Sequence, residues 1–107
     1  MFVQINTDNQ IVTDAESNER LEQRVRDKLG RFEQRLTHVE VHVTDVNGPK
    51  HSNSDKRVSL EARPNGHQPI AVHAEGSRIA EAVTNAANKA ARALDHLFGK
   101  LTDKTRH

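Results

Sequence analysis

Residues 37–46 read THVEVHVTDV, and this stretch decides the fold. Val39, Val41 and Val43 recur at every second position, with His38, Glu40, His42 and Thr44 between them. A period of two is that of a strand with one buried and one wet face. Such a strand belongs to a sheet that needs an apolar cover, and the sequence on either side supplies one. Upstream, Leu21, Val25, Leu29, Phe32 and Leu36 recur at helical spacing and predict a helix over about 14–36. Thr13 with Glu16 three residues later forms a capping box to open it. Gly30 costs that helix about 1 kcal/mol relative to Ala, so a tertiary contact is expected to use it. Downstream, Ile79, Val83, Ala86, Ala90, Leu94, Leu97 and Leu101 form the stripe of a second helix, with Ser77 placed to cap it.

Three more strands complete the pattern. FVQIN (2–6) is short; KRVSLEAR (56–63) turns Val58, Leu60 and Ala62 inward; HQPIAVHAE (67–75) turns Ile70, Val72 and Ala74 inward. NGPKHSNSD (47–55) is a polar loop. Asn65-Gly66 marks a hairpin, and a type I′ turn there needs positive φ at both residues. Pro69 cannot donate to a ladder, which favours an edge position for the last strand. The order is β-α-β-β-β-α. The fold class is α+β: one antiparallel-rich, four-stranded sheet with both helices on one face, like a double-stranded-RNA-binding domain.

At 107 residues the chain has the length of one domain. We expect that domain over 1–103, followed by a flexible tail at 104–107. With three Phe, no Tyr and no Trp, the core must be aliphatic. The absence of cysteine excludes disulfides and thiolate chemistry and fits a reducing compartment. No stretch approaches the roughly 20 apolar residues of a membrane span, and MFVQIN lacks the features of a leader. The expected location is the cytoplasm.

Seven His invite a metal reading, but His38 and His42 lie about 13 Å apart along a strand, whereas zinc holds its nitrogens at about 2 Å. Outward His on a wet sheet face are ordinary solvated residues, and no metal or cofactor is expected. The chain has no glycine-rich phosphate loop, no G-x-S-x-G and no H-E-x-x-H. Glu40, Glu61 and Glu75 are expected to pair with Arg57 and Arg63 across strands. An enzyme working on the His- and Glu-lined sheet face is therefore the weakest reading.

Charge carries the remaining signal. The net is only +1, yet residues 24–35 hold five bases against two acids and residues 78–107 six against three. On the first helix Arg24, Lys28, Arg31 and Arg35 cluster within about 60°, roughly 90° around from the apolar stripe. On the second, Lys89, Arg92, His96 and Lys100 span about 80° and also lie to one side of the stripe. Glu22, Glu33 and Asp95 flank these rows. Lys and Arg are common on any solvated helix face, but segregation onto matching flanks of both helices points to a polyanion, with phosphate backbones the natural target. The scarcity of aromatics argues against reading single strands by base stacking.

The opening strand, VRDKLGRFEQRL (25–36), VEVHV (39–43), LEARPNG (60–66) and AVTNAANKAARALDHLFGKL (82–101), with N-K-x-x-R at 88–92, together resemble the ribosome hibernation-promoting factor and ribosome-associated inhibitor family. Its members are also described as sigma-factor modulation or ribosomal subunit interface proteins. The resemblance covers nearly the whole chain and implies the same β-α-β-β-β-α fold. It further implies a non-enzymatic monomer that binds 16S rRNA of the small subunit at the subunit interface and blocks the mRNA/tRNA channel. By residue, it assigns the contact to Lys28, Arg31, Lys89, Arg92 and Lys100. His96 stands where members often have Lys, and the first turn of the first helix is acidic at Glu16, Glu19 and Glu22. The chain is expected to lack the C-terminal domain with which long members pair ribosomes. The alternative function is an RNA- or protein-binding module of the same fold that does not act on the ribosome.

Overall fold

The computed structural model describes residues 1–7, 15–45 and 56–105. The capping box at Thr13 and Glu16 and the polar loop at 47–55 fall outside the described backbone or side chains. Strand β1 (Phe2–Thr7) leads to helix α1 (Ala15–Leu29), a 3-10 segment (Gly30–Arg35), strands β2 (Leu36–Asp45), β3 (Lys56–Pro64) and β4 (Ile70–Gly76), and helix α2 (Ile79–Thr105). The strands lie side by side in chain order. β1 runs parallel to β2, as a crossover helix between two strands requires. β2–β3 and β3–β4 are antiparallel, so the sheet is mixed and antiparallel-rich, and the fold is α+β.

Register lines the inward residues into rows. Val3, Val39, Ala62 and Ile70 form one, Ile5, Val41, Leu60 and Val72 the next, and Thr7, Val43, Val58 and Ala74 the third. The central members of all three rows are fully buried. Val25 and Leu29 of α1 and Val83, Ala86, Ala90 and Leu94 of α2 join them in one core, so both helices cover the same sheet face. Ile70 and Val72 are only partly buried because β4 is an edge strand. Pro69 stands immediately before it.

Four local readings need correction. The first helix does not continue to residue 36: at Leu29 the backbone leaves α geometry (φ −108°, ψ 6°) and tightens into 3-10 turns. No tertiary contact uses Gly30, since a Cβ there would meet nothing within 4 Å. Its weak helix propensity marks where the α-helix stops. Phe32 is buried from the 3-10 segment, and Leu36 is the first residue of β2. A register shift between Leu36 and His38 then inserts Thr37 as a bulge, and its hydroxyl donates to the Arg63 carbonyl at 3.1 Å. The bulge lets Leu36 and Val39, three residues apart, both face the core.

The hairpin turn is the third correction. Gly66 has φ +74° and no non-glycine residue described has positive φ. With His67 N–H donating to the Pro64 carbonyl, Asn65-Gly66 has the sign pattern of a type II turn rather than I′. Fourth, Phe98 rather than Leu97 is buried at the end of the α2 stripe. It stacks on Phe32 at 5.7 Å between ring centroids, a contact set by how α2 crosses the 3-10 segment. At the other end of α2, the Ser77 hydroxyl donates to the Glu81 carboxylate at 3.0 Å.

Candidate nucleic-acid interface

The described side chains of both basic rows are exposed on the helix layer, but the two rows do not face each other. On α1, Arg24 donates to the Thr84 hydroxyl of α2 at 3.3 Å. Arg31 reaches Asp95 of α2 at 2.5 Å, its guanidinium lying 4.7 Å above the Phe32 ring. Arg35 lies 4.7 Å above the Phe98 ring. Lys28, between Arg24 and Arg31 on the same flank, is exposed. The first row therefore borders the groove between the helices. Asp95, which the sequence places beside the α2 row, neutralises a member of the α1 row instead.

The second row lies on the far side of α2. Lys89 Nζ donates to the His73 carbonyl of β4 at 2.7 Å, and Arg92 lines the same hollow as Lys89, Asn85 and Glu75. His96 is exposed further along. Lys100 belongs to α2, and its side chain lies outside the described residues. One turn before Lys89, the Asn85 amide donates to the Glu75 carbonyl at 3.0 Å. The two rows thus run along opposite sides of the α2 ridge, separated by about the 10–12 Å diameter of a helix. Lys89 and Arg31 keep spare donors: the bond to His73 uses one of three on Lys89, and the pair with Asp95 one or two of five on Arg31.

Arg26, interleaved with the α1 row, has a different job. It donates to Glu22 at 3.1 Å and to the Met1 carbonyl at 3.1 Å, and lies 3.9 Å from Glu33. It fastens α1 to the start of β1. On the outer sheet face Arg57 pairs across strands with Glu75 at 3.6 Å, whereas Arg63 bonds Glu61 two residues away on its own strand at 2.8 Å. His42 and His73 sit on either side of Ser59, two strand spacings or about 10 Å apart. Among the described residues no three His, Cys, Asp or Glu converge on a metal position, and no helix is long and apolar enough to cross a membrane.

A family model described as sigma 54 modulation protein / S30EA ribosomal protein matches residues 8–102. The chain belongs to this family. It is the family of the hibernation-promoting factors that the sequence resembles. Two solved structures share the fold. The Thermus thermophilus Protein Y N-terminal domain matches with a TM-score of 0.63 at 17% identity, covering 91% of this chain and 99% of that one. A ribosomal subunit interface protein from Coxiella burnetii matches with a TM-score of 0.68 at 15% identity, covering 92% and 99%. No curated protein matches the chain.

Proposed function

We propose that this S30EA-family protein inhibits translation by binding the small ribosomal subunit at the subunit interface and occupying the mRNA/tRNA channel. Arg24, Lys28, Arg31, Arg35, Lys89, Arg92, His96 and Lys100 contact phosphates of 16S rRNA. The observation that carries the reading is the pair of exposed cationic rows on either side of α2, in a chain of this family. Two rows a helix diameter apart suit two phosphate backbones, or two passes of one, better than a single point of charge. Contacts of this kind position the protein without reading sequence. Inhibition is steric: the protein fills space that mRNA and tRNA need, no bond is made or broken, and no cofactor takes part. The protein acts in the cytoplasm as a monomeric hibernation factor of the stationary phase, with 1–103 as its ribosome-binding domain.

The test is co-pelleting with purified 30S subunits across a salt series, wild type against Lys89→Glu/Arg92→Glu. The wild type pellets at low salt and is released with a log–log slope set by the number of phosphate contacts, up to about −0.9 for each. The double reversal stays in the supernatant and no longer inhibits translation in vitro. Equal pelleting of the two proteins would sink the mechanism. A wild type that stays in the supernatant at low salt would favour a module of this fold acting on another partner.

A further inference from the structure

We propose that the α2 row continues over the β4 edge to Arg57, and that the trough so formed seats the backbone of one single-stranded RNA segment. This rests on the ribosomal RNA reading above and extends it to a residue and a sheet face which that reading does not use. Two open hollows of about 450 and 330 Å³ adjoin along β4 and share Ala74, Glu75 and Lys89. The larger runs to Arg57 and His73 on the outer sheet face; the smaller runs to Asn85, Asn88 and Arg92 on α2. Arg92, Lys89 and Arg57 therefore follow one another from the helix layer, across the strand edge, onto the opposite face of the sheet.

Each cation has a reason to be there. The His73 carbonyl holds Lys89 at the midpoint. Register places Arg57 directly opposite Glu75, and because β4 is the last strand, its guanidinium reaches the rim. The 3.6 Å separation from Glu75, with both side chains about half exposed, is a loose pairing that a phosphate can replace. Among the described residues His73 is the one ring on the trough wall, so the surface suits backbone rather than stacked bases. The path bends over a sheet edge within a few residues. A flexible single strand follows such a bend, whereas a duplex resists it over tens of base pairs. Glu75 is the acid on that wall, and it weakens the site by competing for Arg57.

The probe is hexauridylate titrated into the isotope-labelled full chain at 50 mM salt, followed by NMR, alongside pelleting with 30S subunits. Amide shifts are expected at Arg57, His73, Glu75, Lys89 and Arg92. Arg57→Gln removes about 0.7 from the salt slope, the single-strand value per contact. For a contact that contributes nothing at 1 M salt, this amounts to about an eightfold loss of affinity at 50 mM. Glu75→Gln strengthens binding, and Arg57→Gln/Glu75→Gln shows that the loss follows the cation rather than a liberated carboxylate. Arg63→Gln is the control, since it removes the same charge from the same face outside the trough. Equal losses in Arg57→Gln and Arg63→Gln, no loss in either, or equal shifts with hexaglutamate would overturn the inference. If the wild type pellets with 30S and Arg57→Gln pellets equally, the trough fails and the ribosomal reading stands. If hexauridylate fills the trough but the wild type does not pellet, the ribosomal reading fails instead.

Discussion

Arg31 and Asp95, sixty-four positions apart in sequence, join the 3-10 segment to α2 through an ion pair of 2.5 Å. Both side chains are about half exposed, so the pair contributes little to stability, on the order of 0–1 kcal/mol. Its effect is on placement: it holds a cation of the α1 row against the α2 ridge. Asp95→Asn should shift the denaturation midpoint only slightly, and a double-mutant cycle with Arg31→Gln should return a coupling within that range.

Leu94 is fully buried, at the centre of the α2 stripe above the inward valines. Leu94→Ala should cost about 2–5 kcal/mol, as buried Leu truncations do. Urea denaturation followed by circular dichroism measures it directly. A cost under about 0.5 kcal/mol, typical of surface positions, would contradict this helix register.

Two glycines should respond in opposite directions. A Cβ on Gly76 would come within 2.8 Å of the Ala82 backbone nitrogen, where β4 ends against the first turn of α2. Gly76→Ala should therefore destabilise by about 1–3 kcal/mol, the usual range for overpacking. Gly30 has open space around its Cβ position and no positive φ. Gly30→Ala should stabilise by about 0.4–1 kcal/mol by restricting the unfolded chain. Thermal melts of the two variants should move the midpoint to opposite sides of wild type.

The rows flank α2 rather than face each other, so their contributions to 30S binding should be independent. Arg24→Gln/Lys28→Gln and Lys89→Gln/Arg92→Gln each weaken pelleting. The fourfold variant should show the sum of the two losses to within about 0.3–0.5 kcal/mol, as separated sites do. A loss well short of the sum would mean that the rows share one set of phosphates.

Periodicity made the layers legible. Val39, Val41 and Val43 identify a half-buried strand by spacing alone, and the α2 stripe orients its helix without a tertiary contact. What spacing left open was decided by contacts between elements. Leu97 and Phe98 are neighbours about 100° apart on the helix, and the position of Phe32 in the 3-10 segment selects Phe98. Thr37 reads as one more outward residue until its bulge is seen to bring Leu36 round to the core. The rows of the candidate interface were visible as rows, but their direction was not. A helical wheel fixes the angle between a flank and its own stripe, not which neighbour lies beyond it. Arg57 escaped for a related reason: on an alternating strand it looks like any solvated cation, and only the order of strands brings it beside the edge that Lys89 occupies.

The bonds from α2 to the margin of β4 have a consequence for how copies of this chain behave towards each other. An edge strand exposes carbonyls that accept hydrogen bonds from any extended chain that arrives. Here Asn85 and Lys89 already occupy two of them, at Glu75 and His73, alternate residues on the same side of the strand. That half of the edge is closed to cross-strand self-assembly by side chains of the protein itself. If Lys89 binds phosphate as proposed, it would exchange the His73 carbonyl for that phosphate, and the bound RNA strand would then lie over the position it vacates. At these two carbonyls the edge strand offers an incoming chain no vacant acceptor row, which blunts it as a template for strand pairing.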